Sequence, residues 1–354
     1  MRPTRLAIVD DSSFVREGLA RLLEGETRIK VVGAAASGEE LLAEFGRWKP
    51  DVVTLDLIMP GLGGLKTLDR IMEIGPTPVI ILSTHSGEGA PLTLEALSRG
   101  AVDFIDKEAY SLVDFQTLRA VLVEKVLSVT QGGAPGRRRD STPDSAASIA
   151  TRRARSVRGR AGYDLVVIGA STGGPSAIGR VLADLGPGIP APIVVAQHMP
   201  AGFTAAFAER LNSQLPFPVR ETVDRERISG GTVYVAPGDR QLTLGKDGNG
   251  LYAMVNEAAA DATYHPSVDV LFTSAVEVLG ERIVAVLLTG MGDDGARGMS
   301  RLSDARAYTI GQDQESCAVY GMPRAAVALK AVRDVLPLDR IGRRVRFLFA
   351  DRAA

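Results

Sequence analysis

A single cysteine, Cys317, stands in the 354-residue chain. That excludes an intramolecular disulfide and any metal site built from several thiolates, and it fits a reducing compartment. An excess of one charge is lacking too: 41 Lys+Arg face 42 Asp+Glu, a formal net charge of −1. Neither the basic field that nucleic acid requires nor a polybasic membrane patch is expected. No run approaches the roughly 20 apolar residues of a membrane span. The first residues pass through Arg2 and Arg5 straight into a short apolar run, with no signal-peptide pattern. The expectation is a cytoplasmic protein without membrane insertion. Internal repeats are lacking as well, and the length suits two different domains, each with its own core. Function must then lie in local sites.

From Arg5 to Val129, β-branched runs alternate with helical patterns, and Leu6–Asp10, Ile29–Ala35, Asp51–Asp56, Pro78–Ser83 and Val102–Lys107 read as strands. Such alternation calls for a parallel sheet covered by helices on both faces. Gln131 to Arg160 is rich in Gly, Ser, Ala, Pro and Arg and has no apolar periodicity, so it reads as a flexible linker. A second α/β region opens at Tyr163–Ile168, with further buried-strand candidates at Ile193–Ala196, Val233–Ala236 and Ile283–Leu288. The domain limits expected are 1–129, 130–162 and 163–354.

Asp10 and Asp11 end the first strand of this reading, Asp56 the third, Ser83 the fourth and Lys107 the fifth. In an open parallel sheet ligands bind outside the carboxyl ends of the strands, so these residues should converge. Three packed carboxylates repel one another, and a hard cation such as Mg2+ relieves this while leaving room for water and phosphate oxygens. Lys107 adds a point charge for a phosphoryl group, and the Ser83 hydroxyl can hydrogen-bond one of its oxygens. The chemistry indicated is phosphoryl transfer to Asp56. Turn formation explains one such Asp, but not an acid pair, an acid, a hydroxyl and a lysine at four strand ends.

Ile8-Val9-Asp10-Asp11-Ser12, Val53-Thr54-Leu55-Asp56-Leu57-Ile58-Met59-Pro60 and Asp103-Phe104-Ile105-Asp106-Lys107 resemble the motifs of response-regulator receiver domains. The resemblance implies a flavodoxin-like (βα)5 fold with Asp56 as phosphoacceptor. Asp10 and Asp11 would help hold Mg2+, and Ser83, Phe104 and Lys107 would respond to phosphorylation. Two departures are Glu108, where the family usually has proline, and Gly63-Gly64 in place of Asp-Gly.

In the second half, Gly169-Ala170-Ser171-Thr172-Gly173 follows an apolar strand and precedes a helix expected near Pro175. This matches the G-x-S-x-G pattern, whose small residues let a tight strand-to-helix turn expose the serine Oγ. A glycine-rich phosphate or dinucleotide loop occupies the same kind of turn. The dinucleotide reading calls for an acid at the end of the next strand. That strand instead runs into Gln197-His198-Met199-Pro200. Of the three histidines, His85 falls in the first half, which leaves His198 and His265 as bases for Ser171. Ile283–Leu288 leads through a glycine turn to Asp293 and Asp294, either of which could orient the imidazole. The order serine, histidine, acid disfavours the α/β-hydrolase fold, where the acid comes second, while leaving triad chemistry intact.

Six segments of this half, in order, resemble the chemotaxis protein-glutamate methylesterases of the CheB family. They are Gly169–Gly174, Gln197–Pro200, Gly202-Phe203-Thr204, Ala208–Asn212, Leu288–Gly292 and Tyr320–Ala326. The resemblance implies a doubly wound, mainly parallel α/β hydrolytic domain with Ser171, His198 and Asp294 as triad. Thr172 and the Met291 backbone N–H would serve the oxyanion or substrate. It implies methyl-accepting chemoreceptors as substrate, glutamyl methyl ester hydrolysis, deamidation of particular glutamines and a sensory histidine kinase as phosphodonor. No cofactor is expected in the hydrolase half. Tyr264-His265 departs from the family, which usually has histidine and then a basic residue before Pro-Ser-Val-Asp. The rival readings are a nucleotide-binding output domain and a non-enzymatic adaptor. A DNA-binding output lacks both a cationic patch and a helix-turn-helix pattern.

Overall fold

The computed structural model describes residues 2–83, 89–107, 115–131, 162–258 and 263–350. Most of the expected linker, together with His85 and Glu108, lies outside the described residues. The N-terminal unit alternates strand and helix: β1 Thr4–Val9, α1 Ser13–Leu22, β2 Ile29–Ala35, α2 Gly38–Trp48, β3 Val52–Asp56, α3 Gly63–Ile74, β4 Val79–Ser83, α4 Gly89–Ser98, β5 Asp103–Asp106 and α5 Phe115–Gln131. Its strands pair in parallel in the order β2-β1-β3-β4-β5. β3 and β4 are buried along their whole length because helices cover both faces, which is why they read as mostly apolar rather than alternating. β1 stops at Val9 and β5 at Asp106, so Asp10 and Lys107 stand one residue past the ladder, at its carboxyl edge.

The C-terminal unit continues with β6 Leu165–Ala170, α6 Gly174–Leu185, β7 Ile193–Gln197, α7 Phe203–Gln214, β8 Val219–Glu221, β9 Val233–Val235, β10 Arg240–Asp247, β11 Gly250–Glu257, α8 Val268–Leu279, β12 Ile283–Leu287, α9 Ala296–Asp304, β13 Tyr308–Gln312, α10 Met322–Ala328, β14 Asp334–Leu336 and α11 Leu338–Ala350. Seven strands form a parallel sheet in the order β14-β13-β12-β6-β7-β9-β8. β10 and β11 form a separate antiparallel hairpin. From β6 the chain moves outward to β7 on one side and later returns to β12 on the other. The carboxyl end of β6 is therefore a topological switch point, where a crevice opens. Ser171 follows β6, His198 follows β7, and the Asp293-Asp294 turn follows β12. No helix of the described residues is long and apolar enough to cross a membrane.

Candidate active site

At the carboxyl edge of the N-terminal sheet, Asp10, Asp11 and Asp56 each bring a carboxylate oxygen within 4.8 Å of the others. Lys107 Nζ donates to Asp10 Oδ2 at 2.7 Å and to Asp56 Oδ2 at 2.9 Å. Burial raises the pKa of Asp10 and the Asp56 charge adds to this, only partly offset by Lys107. Desolvated, mutually repelling carboxylates fit a hard divalent cation. Gly64 matters here because a Cβ on it would lie 2.4 Å from the Asp56 carbonyl oxygen, so only glycine lets α3 begin this close to the acid. Ser83 is buried at the end of β4 and its Oγ accepts from Thr93 Oγ1.

In the C-terminal crevice, the serine turn is held from three sides. Ser171 N–H donates to Thr289 O at 3.0 Å, Thr289 Oγ1 donates to Thr172 O at 2.9 Å, and Gln197 Nε2 donates to Ser171 O at 3.0 Å. Gly173, at φ +77°, caps α6 in the left-handed region, where a side chain is disfavoured. His198 N–H donates to Ala170 O at 3.1 Å, which sets the histidine beside the serine turn. The second Gln197 Nε2 bond goes to His198 O at 3.0 Å. One buried carboxamide thus ties the backbones of both residues.

His198 Nε2 lies 2.8 Å from Asp294 Oδ2. Asp294 also accepts from Val268 N at 2.6 Å, Asp269 N at 3.0 Å and Ser267 Oγ at 2.9 Å. Its carboxylate therefore sits on the N-terminus of α8, where N–H groups and the helix dipole favour negative charge. Burial alone would raise its pKa, but the His198 hydrogen bond and charge, with the backbone donors, bring it below the ordinary carboxylate value. Asp293, one residue away, is exposed. His265 is also exposed, with Nδ1 3.6 Å from Asp239 Oδ1. With the carboxylate on Nε2, the neutral imidazole carries its proton there and leaves Nδ1 as the basic nitrogen. His198 Nδ1 is buried and has no hydrogen-bond partner among the described residues.

Thr172 is buried, and its hydroxyl donates across to Asp103 Oδ2 of the N-terminal unit at 2.6 Å. Lys125 Nζ meets the same oxygen at 2.6 Å. Around this bridge, Gly173 N–H donates to Val102 O at 3.0 Å and Ser176 Oγ to Leu97 O at 2.7 Å. Phe104 packs against Phe203 with ring centroids 4.4 Å apart and the rings tilted by 32°. A cavity of about 270 Å3 remains at the seam, with Phe104, Asp106 and Lys125 on one wall and His198, Tyr264 and His265 on the other. Met291 is half-buried and packs against the apolar cluster containing Leu122 and Val126 of α5.

The sequence reading left out Gln197 as a holder of the site, Ser267 as an Asp294 donor and Asp103 as the partner of Thr172. The polar end of an otherwise apolar strand, Ile193–Gln197, is the signal for the first; local sequence gives no signal for the last. Tyr264, noted only as a departure, stacks on His198 with centroids 4.3 Å apart and rings 9° from parallel.

A family model described as CheB methylesterase matches residues 166–345, and one described as response regulator receiver domain matches residues 6–119. A protein-glutamate methylesterase/protein-glutamine glutaminase of Symbiobacterium thermophilum is 41% identical over 350 residues, covering 96% of this chain and 95% of the relative. One from Archaeoglobus fulgidus is 40% identical over 345 residues, covering 97% and 98%. The crystal structure of the Thermotoga maritima CheB methylesterase catalytic domain aligns with a TM-score of 0.51 at 36% identity, covering 52% of this chain and 98% of that one. With relatives matched along nearly their whole length, the chain belongs to the CheB family of protein-glutamate methylesterases, as a member carrying a response-regulator receiver domain ahead of its catalytic domain.

Proposed function

We infer that this protein is a receiver-regulated hydrolase that converts glutamyl methyl esters on methyl-accepting chemoreceptors to glutamate and methanol and deamidates particular receptor glutamines. The observation that carries the reading is Asp294, held by three donors of the α8 N-terminus and presented to His198 beside the Ser171 turn. In the reaction, Ser171 Oγ attacks the ester carbonyl carbon while His198 Nδ1 takes its proton. The tetrahedral oxyanion collapses, the C–O bond to methoxide breaks, and His198 returns the proton so that methanol leaves. Water then attacks the acyl-serine by the same route and frees the glutamate. Asp294 keeps the proton on Nε2 throughout. Thr172 and the Met291 N–H serve the oxyanion.

The seam supports a restraint. In the docked arrangement the Thr172 hydroxyl is spent on Asp103, and Phe104 is held against Phe203. Phosphorylation of Asp56 by a sensory histidine kinase adds about 1.5 to 2 negative charges. Ser83, Lys107 and Phe104 relay that change to the seam and release the crevice. Asp10, Asp11 and Asp56 would hold Mg2+, which supplies positive charge to the incoming phosphoryl group. The hydrolase half needs no cofactor for this chemistry. The proposed domains are 1–129 and 163–354, joined by 130–162, and the proposed location is the cytoplasm. A nucleotide-binding output is disfavoured, since Gln197 is already engaged at the position where a ribose-binding acid would stand.

The test incubates the protein with Mg2+, a small phosphodonor and methylated receptors from the same cell, then measures methanol and maps the sites. Receptor-dependent methanol is expected, with phosphate label on the parent and none on Asp56→Asn. Equal labelling of parent and variant would overturn the phosphoacceptor assignment, and absence of methanol the enzymatic one.

A further inference from the structure

Among the described residues the His198 imidazole has one hydrogen bond, at Nε2 to Asp294, while Nδ1 is buried without a partner. A single bond fixes one nitrogen but leaves the ring free to turn about the line through it. The direction of the Nδ1 lone pair, on which proton removal from Ser171 depends, must then come from packing. Tyr264 covers the imidazole face at 4.3 Å, nearly parallel. The tyrosine is itself fixed: Gln241 Nε2 donates to Tyr264 O at 2.7 Å, and Gln241 Oε1 accepts from Ser267 N at 2.8 Å. Ser267 in turn donates to Asp294. Residues 264–269 thus carry both the donors that hold Asp294, which grips the edge of the imidazole, and the ring that covers its face. At the far end, a Cβ on Gly292 would lie 2.7 Å from the tyrosine hydroxyl, so the ring lies close against the turn that leads to Asp294.

We propose that Tyr264 is a positioning residue for the hydrolysis, acting through His198: its aromatic face fixes the plane of the imidazole and with it the direction of Nδ1. This rests on the esterase reading given above. A flat ring is what the role requires, and the hydroxyl is dispensable. Losing the attraction of a stacked aromatic pair is expected to lower kcat by about 10-fold.

The experiment compares full-length, phosphodonor-treated parent with Tyr264→Phe, Tyr264→His and Tyr264→Leu, measuring methanol release from methylated receptor and the low-field NMR signal of the His198–Asp294 proton. Phe and His should stay within about 3-fold of the parent in kcat, and Leu should fall by about 10-fold with KM unchanged. The low-field signal should persist in the planar variants and broaden in the leucine variant, whose circular dichroism and Asp56 labelling match the parent. Equal kcat for Leu and parent, an equal loss in Phe and Leu, or a loss confined to KM would each overturn the proposal. An inactive parent would overturn the esterase reading instead, while the NMR comparison would still decide whether Tyr264 orders the imidazole.

Discussion

The two sites use one topological device and opposite electrostatics. Both gather residues at the carboxyl ends of parallel strands beside a switch point. In the receiver, three carboxylates face one another, with Lys107 bridging two of them, and burial keeps Asp10 less acidic than usual. That arrangement fits completion from outside, by the cation or phosphoryl group proposed above. In the catalytic crevice the one buried acid is satisfied from within, by the N-terminus of α8 and by His198, and is more acidic than usual. A site meant to change state leaves its charges in tension, whereas a site meant to repeat one reaction has its charge fixed beforehand.

The largest test of this contrast is Asp294→Asn. An amide NH2 facing Nε2 would force that nitrogen to accept, move the imidazole proton to Nδ1 and block the base. A loss on the order of 10^4-fold in kcat is expected, the scale found when a triad acid becomes its amide. Asp293→Asn, at an exposed neighbour, should change kcat by less than about 3-fold. Steady-state methanol release checks both, and the reverse ranking would put the acid at the wrong position.

Next in size is release of the seam. A fragment beginning near Gly162 should outrun the unphosphorylated parent, and phosphorylation should raise the parent toward it, by about 5- to 150-fold if docking changes by about 1–3 kcal/mol. A fragment no faster than the unphosphorylated parent would rule out occlusion. A fragment well below the phosphorylated parent would mean that the receiver also assists. Smaller still is Asp103→Ala, which frees the Thr172 hydroxyl. A net hydrogen bond of about 0.5–1.5 kcal/mol corresponds to a rise of about 2- to 10-fold in the unphosphorylated rate, with the fragment's rate as reference.

The smallest effect is on stability. The folded pKa of Asp294 lies below its ordinary value of 3.8, so its contribution is fully present above that pH and is lost as the pH falls through the lower folded value. The stability gap between parent and Asp294→Asn, followed by denaturant unfolding, should narrow as the pH falls below about 4. A gap unchanged at lower pH would mean that the carboxylate charge contributes nothing.

Much of this fold can be read from the chain because its central strands are buried on both faces. Val52–Asp56 and Ile193–Gln197 are mostly apolar runs that end in a polar residue, Ile283–Leu287 is an apolar run that leads to the Asp293-Asp294 turn, and the proposed sites stand at these ends. The β10–β11 hairpin is harder to read, although Asp247-Gly248-Asn249-Gly250 is a turn signal, because its alternating exposed positions lack that apolar continuity. Local sequence leaves Asp293 and Asp294 equivalent; what separates them is the remote start of α8, which receives only Asp294. The Tyr264 stack, the Gln197 tie and the Asp103–Thr172 bridge depend on how distant segments meet, and a linear pattern carries no such distances.

The central claim is that Ser171 is the nucleophile of an ester hydrolase whose parts are assembled at the end of β6. Its most direct test is methanol release from methylated receptor by the phosphodonor-treated full-length protein and by Ser171→Ala, together with Asp56 labelling of both. The expected result is methanol from the parent, none above background from the variant, and equal labelling, which shows that the variant remains folded and responsive. Methanol release by Ser171→Ala at the parent's rate would contradict the account.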